Sequence, residues 1–262
     1  MKLRPLFAAL AALSVSLTAQ SQKSASAPAF DVASIRLSKD PQPGGDIQIT
    51  PGRFLGKDLA LQWLILTAYR IKSGNLAGDL PNWTISERYT IEARMAEAGD
   101  ETQVLAALEK LLEDRFHLRY HHESREQPVY FLTVGKGGPK LPAGNCVPVK
   151  KDLPNECYSR TVEGLVQTLD WRGVSMSAPD GVAYRSFAWQ LNVDRPVIDK
   201  TGLTGTYDIH LRWARDAAPN ETPANAPSIF DALQEQLGLK LEPGRGPVEY
   251  MIVDHAEKPA DN

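Results

Sequence analysis

The chain has 262 residues, of which 42% are hydrophobic and 23% charged, and its formal net charge at pH 7 is -3. This composition is typical of a globular protein and excludes collagen-like, low-complexity and multi-span membrane proteins. The 29 basic and 32 acidic residues leave no excess of positive charge for nucleic acid or anionic lipid, so we expect no nucleic-acid partner.

The first residues have the three regions of a secretory signal peptide. Lys2 and Arg4 precede an apolar stretch over residues 6–17, and a small residue, Ala19, follows it. The stretch is shorter than the about 20 residues that a membrane-spanning helix needs. We therefore predict a signal peptide over residues 1–19, and a periplasmic or secreted chain with no stable membrane anchor after cleavage. A buried N-terminal helix is the alternative.

The part of the chain that follows alternates strand and helix patterns. Pro51 and Gly52 indicate a tight turn between two strands, and Asp58 is placed to cap a helix. The predicted elements are a hairpin over 48–55, a helix over 59–69, a strand from Tyr89, a helix over 104–112, and a closing hairpin of 117–123 with 129–134.

Both cysteines of the chain lie in a turn-rich segment. Cys146 and Cys157 are the only two, and they are close in sequence. In an exported chain an even number of closely spaced cysteines predicts a disulfide, here within a linker.

The C-terminal part repeats the earlier order of elements. Ser177 or Asp180 is placed to cap a helix, and Gly238 is placed to end another. The predicted elements are a hairpin over 169–176, a helix over 183–191, a strand from Tyr207, a helix over 229–237, and a hairpin of 239–241 with 248–253.

Three short patterns recur in the same order in the two parts, which predicts two similar halves. The matching segments are 89–95 with 207–213, 104–112 with 229–237, and 128–134 with 247–253. Hairpins mixed with helices indicate an α+β fold of two βαβαββ-like halves, with mixed or antiparallel sheets and helices packed on them. The predicted organisation is a signal peptide (1–19), a flexible segment (20–29), a first half (30–141), a disulfide-containing linker (142–168) and a second half (169–262).

No motif in the chain assigns a reaction. Lys200-Thr201-Gly202 resembles one motif of serine acyl-transferases, but none of the upstream serines has the lysine three residues later that such enzymes need. His117, His121 and His122 form the only histidine cluster, and on a strand His122 points away from the other two, so at most two could bind one metal ion. We expect no metal and no cofactor, and we assign no catalytic residue.

The densest polar stretch supplies the candidate binding residues. Arg195 and Asp199 flank a Gly-Thr loop that leads to Tyr207, and together they could recognise a polar ligand. The structural alternative is that Gly202 and Gly205 simply allow two tight turns into the Tyr207 strand.

Several segments together resemble a family of exported proteins that is abundant in soil bacteria, especially acidobacteria. These segments are 30–36, 112–116 with His121 and Glu123, 197–208, 234–241 and Lys258-Pro259. The resemblance spans essentially the whole mature chain. The family is known as one of unknown function, and related domains attached to membrane metallopeptidases of the antibiotic-sensing receptor type imply a sensing or binding role. It provides no catalytic residue to carry over.

The leading functional hypothesis is an extracytoplasmic binding or interaction protein of the bacterial envelope, with an envelope protein or an extracellular ligand as its partner. The alternative is a secreted hydrolase of an envelope or extracellular polymer, with two acids converging in a cleft between the halves. A third hypothesis is a structural envelope protein whose edge strands extend a partner's sheet.

Overall fold

The computed structural model describes residues 27–42, 44–146, 157–177, 186–215, 217–218, 222 and 224–260. The predicted signal peptide lies outside these ranges. Within them, no helix combines the length and the apolar character needed to cross a membrane. The α+β class predicted from the sequence is confirmed, with three sheets and short helices packed against them.

The first half forms an antiparallel sheet covered by two helices. Its core contains Phe54 and Ile91 from the sheet and Leu64 and Leu108 from the helices. The elements are β1 (Val32–Leu37), β2 (Asp46–Thr50), β3 (Arg53–Leu59), α1 (Leu61–Ala68), a 3-10 turn (Ser73–Asn75), β4 (Leu76–Gly78), α2 (Trp83–Ser86), β5 (Tyr89–Arg94), α3 (Glu101–Arg115) and β6 (Arg119–Val134). The sheet order is β1-β5-β3-β2.

The second half has a smaller antiparallel sheet in the order β10-β8-β7. Its separate core contains Leu211 from the sheet and Phe187 and Leu233 from the helices. The elements are β7 (Tyr158–Glu163), β8 (Val166–Ser175), α4 (Phe187–Gln190), β9 (Val197–Asp199), β10 (Thr206–Ala214), α5 (Ile229–Ala232), a π-helical turn (Leu233–Leu237) and β11 (Leu239–His255). The strand β7 lies within the segment predicted as a linker, whereas the domain boundaries themselves stay a prediction.

A third sheet, in the order β4-β11-β6-β9, joins the halves. The long strands β6 and β11 pair antiparallel over their length, while β4 pairs parallel with β11 and β9 pairs parallel with β6. Each half therefore gives a short strand to the long strand of the other half. Both long strands contribute to both cores: Leu132 of β6 and Leu239 of β11 lie in the second core, while Met251 of β11 lies in the first and Tyr120 of β6 packs against it.

The pairing of β6 with β11 is symmetrical. Gln127 lies opposite Gly246, Pro128 lies opposite Arg245, and Pro247 lies opposite Glu126. Because Pro128 and Pro247 hold matching places in the repeated sequence pattern, this register relates the two strands by an approximate two-fold axis at the Gln127–Gly246 pair.

The closing hairpins predicted for both halves are wrong, because each segment forms one continuous strand. Pro128 and Pro247, which begin the matching repeat segments 128–134 and 247–253, lie inside these strands. They are tolerated because β9 reaches only Tyr130–Leu132 and β4 reaches only Met251–Val253, so no second strand needs the N–H group that proline lacks.

The hairpin predicted over residues 169–176 is also wrong, since β8 runs straight through it. Gly173 has a φ of 66°, but it lies in a bulge of β8, where two residues oppose the single residue Asp208 of β10, and not in a turn. Its N–H donates to the Asp208 carboxylate at 2.9 Å. The hairpin predicted over 48–55 is confirmed, with Gly52 at a φ of 69° between β2 and β3.

The predicted helices are found at the expected places, but the residues at the starts of α1 and α4 are not the predicted caps. Asp58 has a φ of 53° and accepts a hydrogen bond from the N–H of Gln42, while Ala60 precedes α1 without a side-chain cap. Ser186, not Ser177, caps α4 by accepting the N–H of Trp189 at 3.3 Å. Asp180 and the start of the helix predicted over 183–191 lie outside the described residues. Gly238 ends the π-helical turn in a left-handed conformation, as predicted.

The predicted disulfide is present in the structure, with the Cα atoms of Cys146 and Cys157 5.9 Å apart. The segment before Cys146 lies along β10. The Gly144 N–H donates to the carbonyl of Thr206 at 2.9 Å, and the Asp208 N–H donates to the carbonyl of Pro142 at 3.0 Å. The disulfide therefore ties residues next to β7 to a segment that is bound to β10.

Candidate functional site

A cleft of about 370 Å³ lies where the two halves exchange strands. Its lining comes from both halves, in residues drawn from 70–75, 186–189, 196–199 and 247–249, together with Ser177. The segment 70–75 leads into β4 and the segment 196–199 forms β9, so the two strand exchanges themselves build the walls. Asn75 fixes one wall by donating its side-chain amide to the carbonyl of Glu249 at 2.8 Å.

Lys72 is the most unusual polar residue of this cleft. Its side chain is partly buried, and its Nζ lies 3.4 Å from the carbonyl oxygen of Leu191 and 5.1 Å from the ring centroid of Trp189. No carboxylate of the described residues comes within 4.0 Å of this Nζ. Burial lowers the pKa of Lys72, because the ammonium loses water without gaining a counter-ion.

Arg70, the second cation at the cleft, is directed toward α3. Its guanidinium donates to the carbonyl of Thr102 at 3.2 Å and lies 3.8 Å from the Glu109 carboxylate. Its Nε is buried without a hydrogen-bond partner. Burial raises the pKa of Glu109, and the nearby Arg70 charge opposes that rise. Arg70 is therefore compensated within the first half, whereas Lys72 is not.

The three candidate binding residues from the sequence do not converge. Asp199 lines the cleft, but its carboxylate accepts hydrogen bonds from the N–H and the hydroxyl of Thr201 at 2.9 and 2.7 Å. The Arg195 guanidinium instead lies over the Tyr130 ring, 5.2 Å from its centroid. Tyr207 lies on β10 and packs against the second core. Only Asp199 is thus brought to the cleft.

A larger concavity of about 580 Å³ lies on the second sheet, around an exposed Asp170–His210 pair. The Asp170 carboxylate is 2.6 Å from Nδ1 of His210. Ser159 is the neighbour of Asp170 on β7, and His210 is its neighbour on β10. A catalytic triad needs the histidine between the serine and the acid, and here the aspartate lies in the middle. This arrangement does not form a serine nucleophile with its base.

The histidine cluster lies where β6 begins, next to the end of β11. His121 pairs with Asp254 at 2.9 Å, and His255 pairs with Glu257 at 2.8 Å. Asp254, His255 and Glu257 line a concavity of about 540 Å³ together with His117. The hydrogen bond from His255 lowers the pKa of Glu257. Across the part of the chain that the structure describes, no three His, Cys, Asp or Glu side chains form a group that could hold a metal ion.

Lys72 and Trp189 were not predicted as site residues. Each looks ordinary in the sequence, as a single lysine after a helix and one of five tryptophans. The sequence repeat could have indicated them. The connections before β4 and β9 hold matching places in the two halves, and they come together because these two strands are exchanged.

The comparison with protein families decides the classification. A family model described as "Protein of unknown function (DUF3738)" matches residues 62–256. The chain belongs to this family. The DUF3738 match includes every segment that lines the cleft. Searches of the curated proteins and of the solved structures gave no match to this DUF3738 member.

Proposed function

We propose that the protein is an exported binding protein of the bacterial envelope, which holds a small ligand in the cleft between its halves. The observation that carries the proposal is the construction of this cleft from both halves at their strand exchange, with the partly buried Lys72 facing it. Ligand sites commonly occur at junctions of this kind, and their volumes start at about 300 Å³. The cleft falls within that range.

Export rests on the sequence of the first 19 residues and agrees with the disulfide between Cys146 and Cys157. The test is fractionation of the native cells, followed by N-terminal sequencing of the protein. We expect a periplasmic or extracellular chain that begins after Ala19. A full-length chain in the cytosolic fraction would contradict export.

Ligand binding is tested on the chain purified from its own envelope fraction, by heating it and identifying the released small molecules by mass spectrometry. Ser177 is exposed and lines the cleft, so Ser177→Trp should fill the cleft without disturbing the core. Thr161→Trp is the control, because Thr161 is exposed on β7, away from the cleft. We expect one released compound from the wild type and the control, and none from Ser177→Trp. Equal yields from all three would disprove the cleft as the binding site.

The hydrolase remains the second candidate, because Asp199 and Glu249 both line the cleft. It requires that the bound compound be converted and that Glu249→Gln abolish this conversion while binding persists. Recovery of the compound unchanged after incubation with the wild type would remove this candidate.

A further inference from the structure

The charge of Lys72 sets the ligand class. Two exposed lysines of the chain have a carboxylate partner: Lys110 has Asp114 at 2.9 Å, and Lys240 has Glu242 at 3.0 Å. Both lysines are more exposed than Lys72, which has no such partner among the described residues. A charge that is removed from water without a partner is costly, so an anion brought to the Lys72 Nζ would be bound favourably.

The number of charges limits the ligand to one negative group. Arg70 already faces Glu109 and Thr102, so Lys72 contributes the one uncompensated positive charge among the described residues of the lining. Asp199 and Glu249 also line the cleft, and their carboxylates would repel any negative group of the ligand that is not held at the Lys72 Nζ. A monoanion such as a carboxylate therefore fits better than a dianionic phosphate monoester.

The remaining walls are mainly apolar. The apolar residues of the lining beside Lys72 are Trp189, Val197, Ile198, Pro247 and Val248. The Lys72 Nζ lies over the Trp189 ring, so a carboxylate bound to that nitrogen would have its attached group next to the indole and the aliphatic wall. Such a wall favours a hydrocarbon or aromatic group over a sugar.

We propose that the cleft binds a small organic carboxylate, with Lys72 holding the carboxylate and the wall around Trp189 holding an apolar group. This inference rests on the proposed binding function and names the chemical class of its ligand. The lowered pKa of Lys72 supports it, because a bound anion would offset the cost of burying the charged amine.

The test uses calorimetric titration of the mature chain with paired probes: phenylacetate with phenylacetamide, and hexanoate with hexanamide. Each pair has nearly the same shape and differs in charge. We expect the acids to bind at least about tenfold more tightly than their amides. Lys72→Met should remove this preference, Lys72→Arg should keep part of it, and Lys110→Met should leave it unchanged.

The outcomes separate this inference from the proposed function. If the amides bind as well as the acids, or phenyl phosphate binds more tightly than phenylacetate, the carboxylate class is wrong and ligand binding in the cleft stands. If none of the probes binds at millimolar concentration, the carboxylate inference also fails. The envelope-purified chain then decides the proposed function separately, by whether it releases a compound.

Discussion

Lys72 of the first half lies over the indole ring of Trp189 of the second half, with 5.1 Å between its Nζ and the ring centroid. This contact is made possible by the exchange of β4 and β9, which brings together two connections that are far apart in sequence. A cation–π contact of partly buried groups contributes on the order of 1 kcal/mol, which offsets only part of the cost of burying the Lys72 charge.

The first prediction concerns the pH dependence of stability. Burial holds the pKa of Lys72 below its ordinary value of 10.5. The neutral amine is therefore favoured by folding, and this contribution is complete above pH 10.5 and is lost as the pH falls through the folded-state pKa. We expect Lys72→Met to raise the free energy of unfolding relative to wild type at pH 7, and this gain to shrink as the pH approaches 10.5.

Urea denaturation over this pH range provides the measurement, and Lys110→Met provides the control. The hydrogen bond to Asp114 raises the pKa of Lys110, so its contribution is present at neutral pH and is lost as the pH rises through the folded-state value. The effect of Lys72→Met should therefore shrink as the pH rises to 10.5, whereas the effect of Lys110→Met should stay constant up to that pH and shrink only above it. Parallel trends would mean that Lys72 is not destabilised by burial.

The second prediction tests the exchange of strands. Gly78 of β4 has a φ of 115°, and a Cβ at this position would lie 2.2 Å from the carbonyl oxygen of Val253 in β11. Gly78→Ala should lower the free energy of unfolding by more than about 2 kcal/mol, because the clash is with backbone that has no room to move.

Gly74 gives the matched control, since it lies in the same connection with ordinary φ and with open space around its added Cβ. Gly74→Ala should change the free energy of unfolding by no more than about 0.5 kcal/mol. Equal effects of the two substitutions in thermal or chemical denaturation would mean that β4 does not pack against β11 as described.

The fold class and the helices could be predicted because they depend on local patterns. The apolar spacing over residues 104–112 predicts the helix α3, and Gly238 is predicted to end a helical turn, as it does in the structure. The continuous course of β6 and β11 could not be predicted, because prolines such as Pro128 and Pro247 are seldom found inside a strand. They are accommodated only through strand pairing that is distant in sequence. The cleft depends on that pairing, so its residues were missed for the same reason.

The third prediction concerns the disulfide. Cys146 and Cys157 are separated by 11 positions, and in the chain-entropy model a loop of this length contributes about 2–3 kcal/mol. We expect reductant to lower the free energy of unfolding by about this amount. The double variant Cys146→Ser/Cys157→Ser should match the reduced wild type and should not respond to reductant. A wild type that is insensitive to reductant would show that the bond does not stabilise the chain.

The fourth prediction concerns the start of α3. The Asp100 carboxylate accepts the N–H of Gln103, and the Gln103 side chain accepts the N–H of Asp100, both at 2.9 Å. Asp100→Ala should cost about 1 kcal/mol, because it removes this capping box. Asp114→Ala, which removes an exposed pair with Lys110 on the same helix, should cost less than about 0.5 kcal/mol. A reversed order of the two losses in urea denaturation would contradict the capping role.

The most direct measurement of the central claim is the rate at which an amine-reactive reagent modifies Lys72, followed by peptide mass spectrometry. It is made on the mature chain with and without phenylacetate, and Lys110 of the same chain serves as the internal reference. A carboxylate held at the Lys72 Nζ should slow modification of Lys72 several-fold and leave Lys110 unchanged. Unchanged modification of Lys72, or equal slowing at both lysines, would contradict the claim that this cleft holds an organic acid on Lys72.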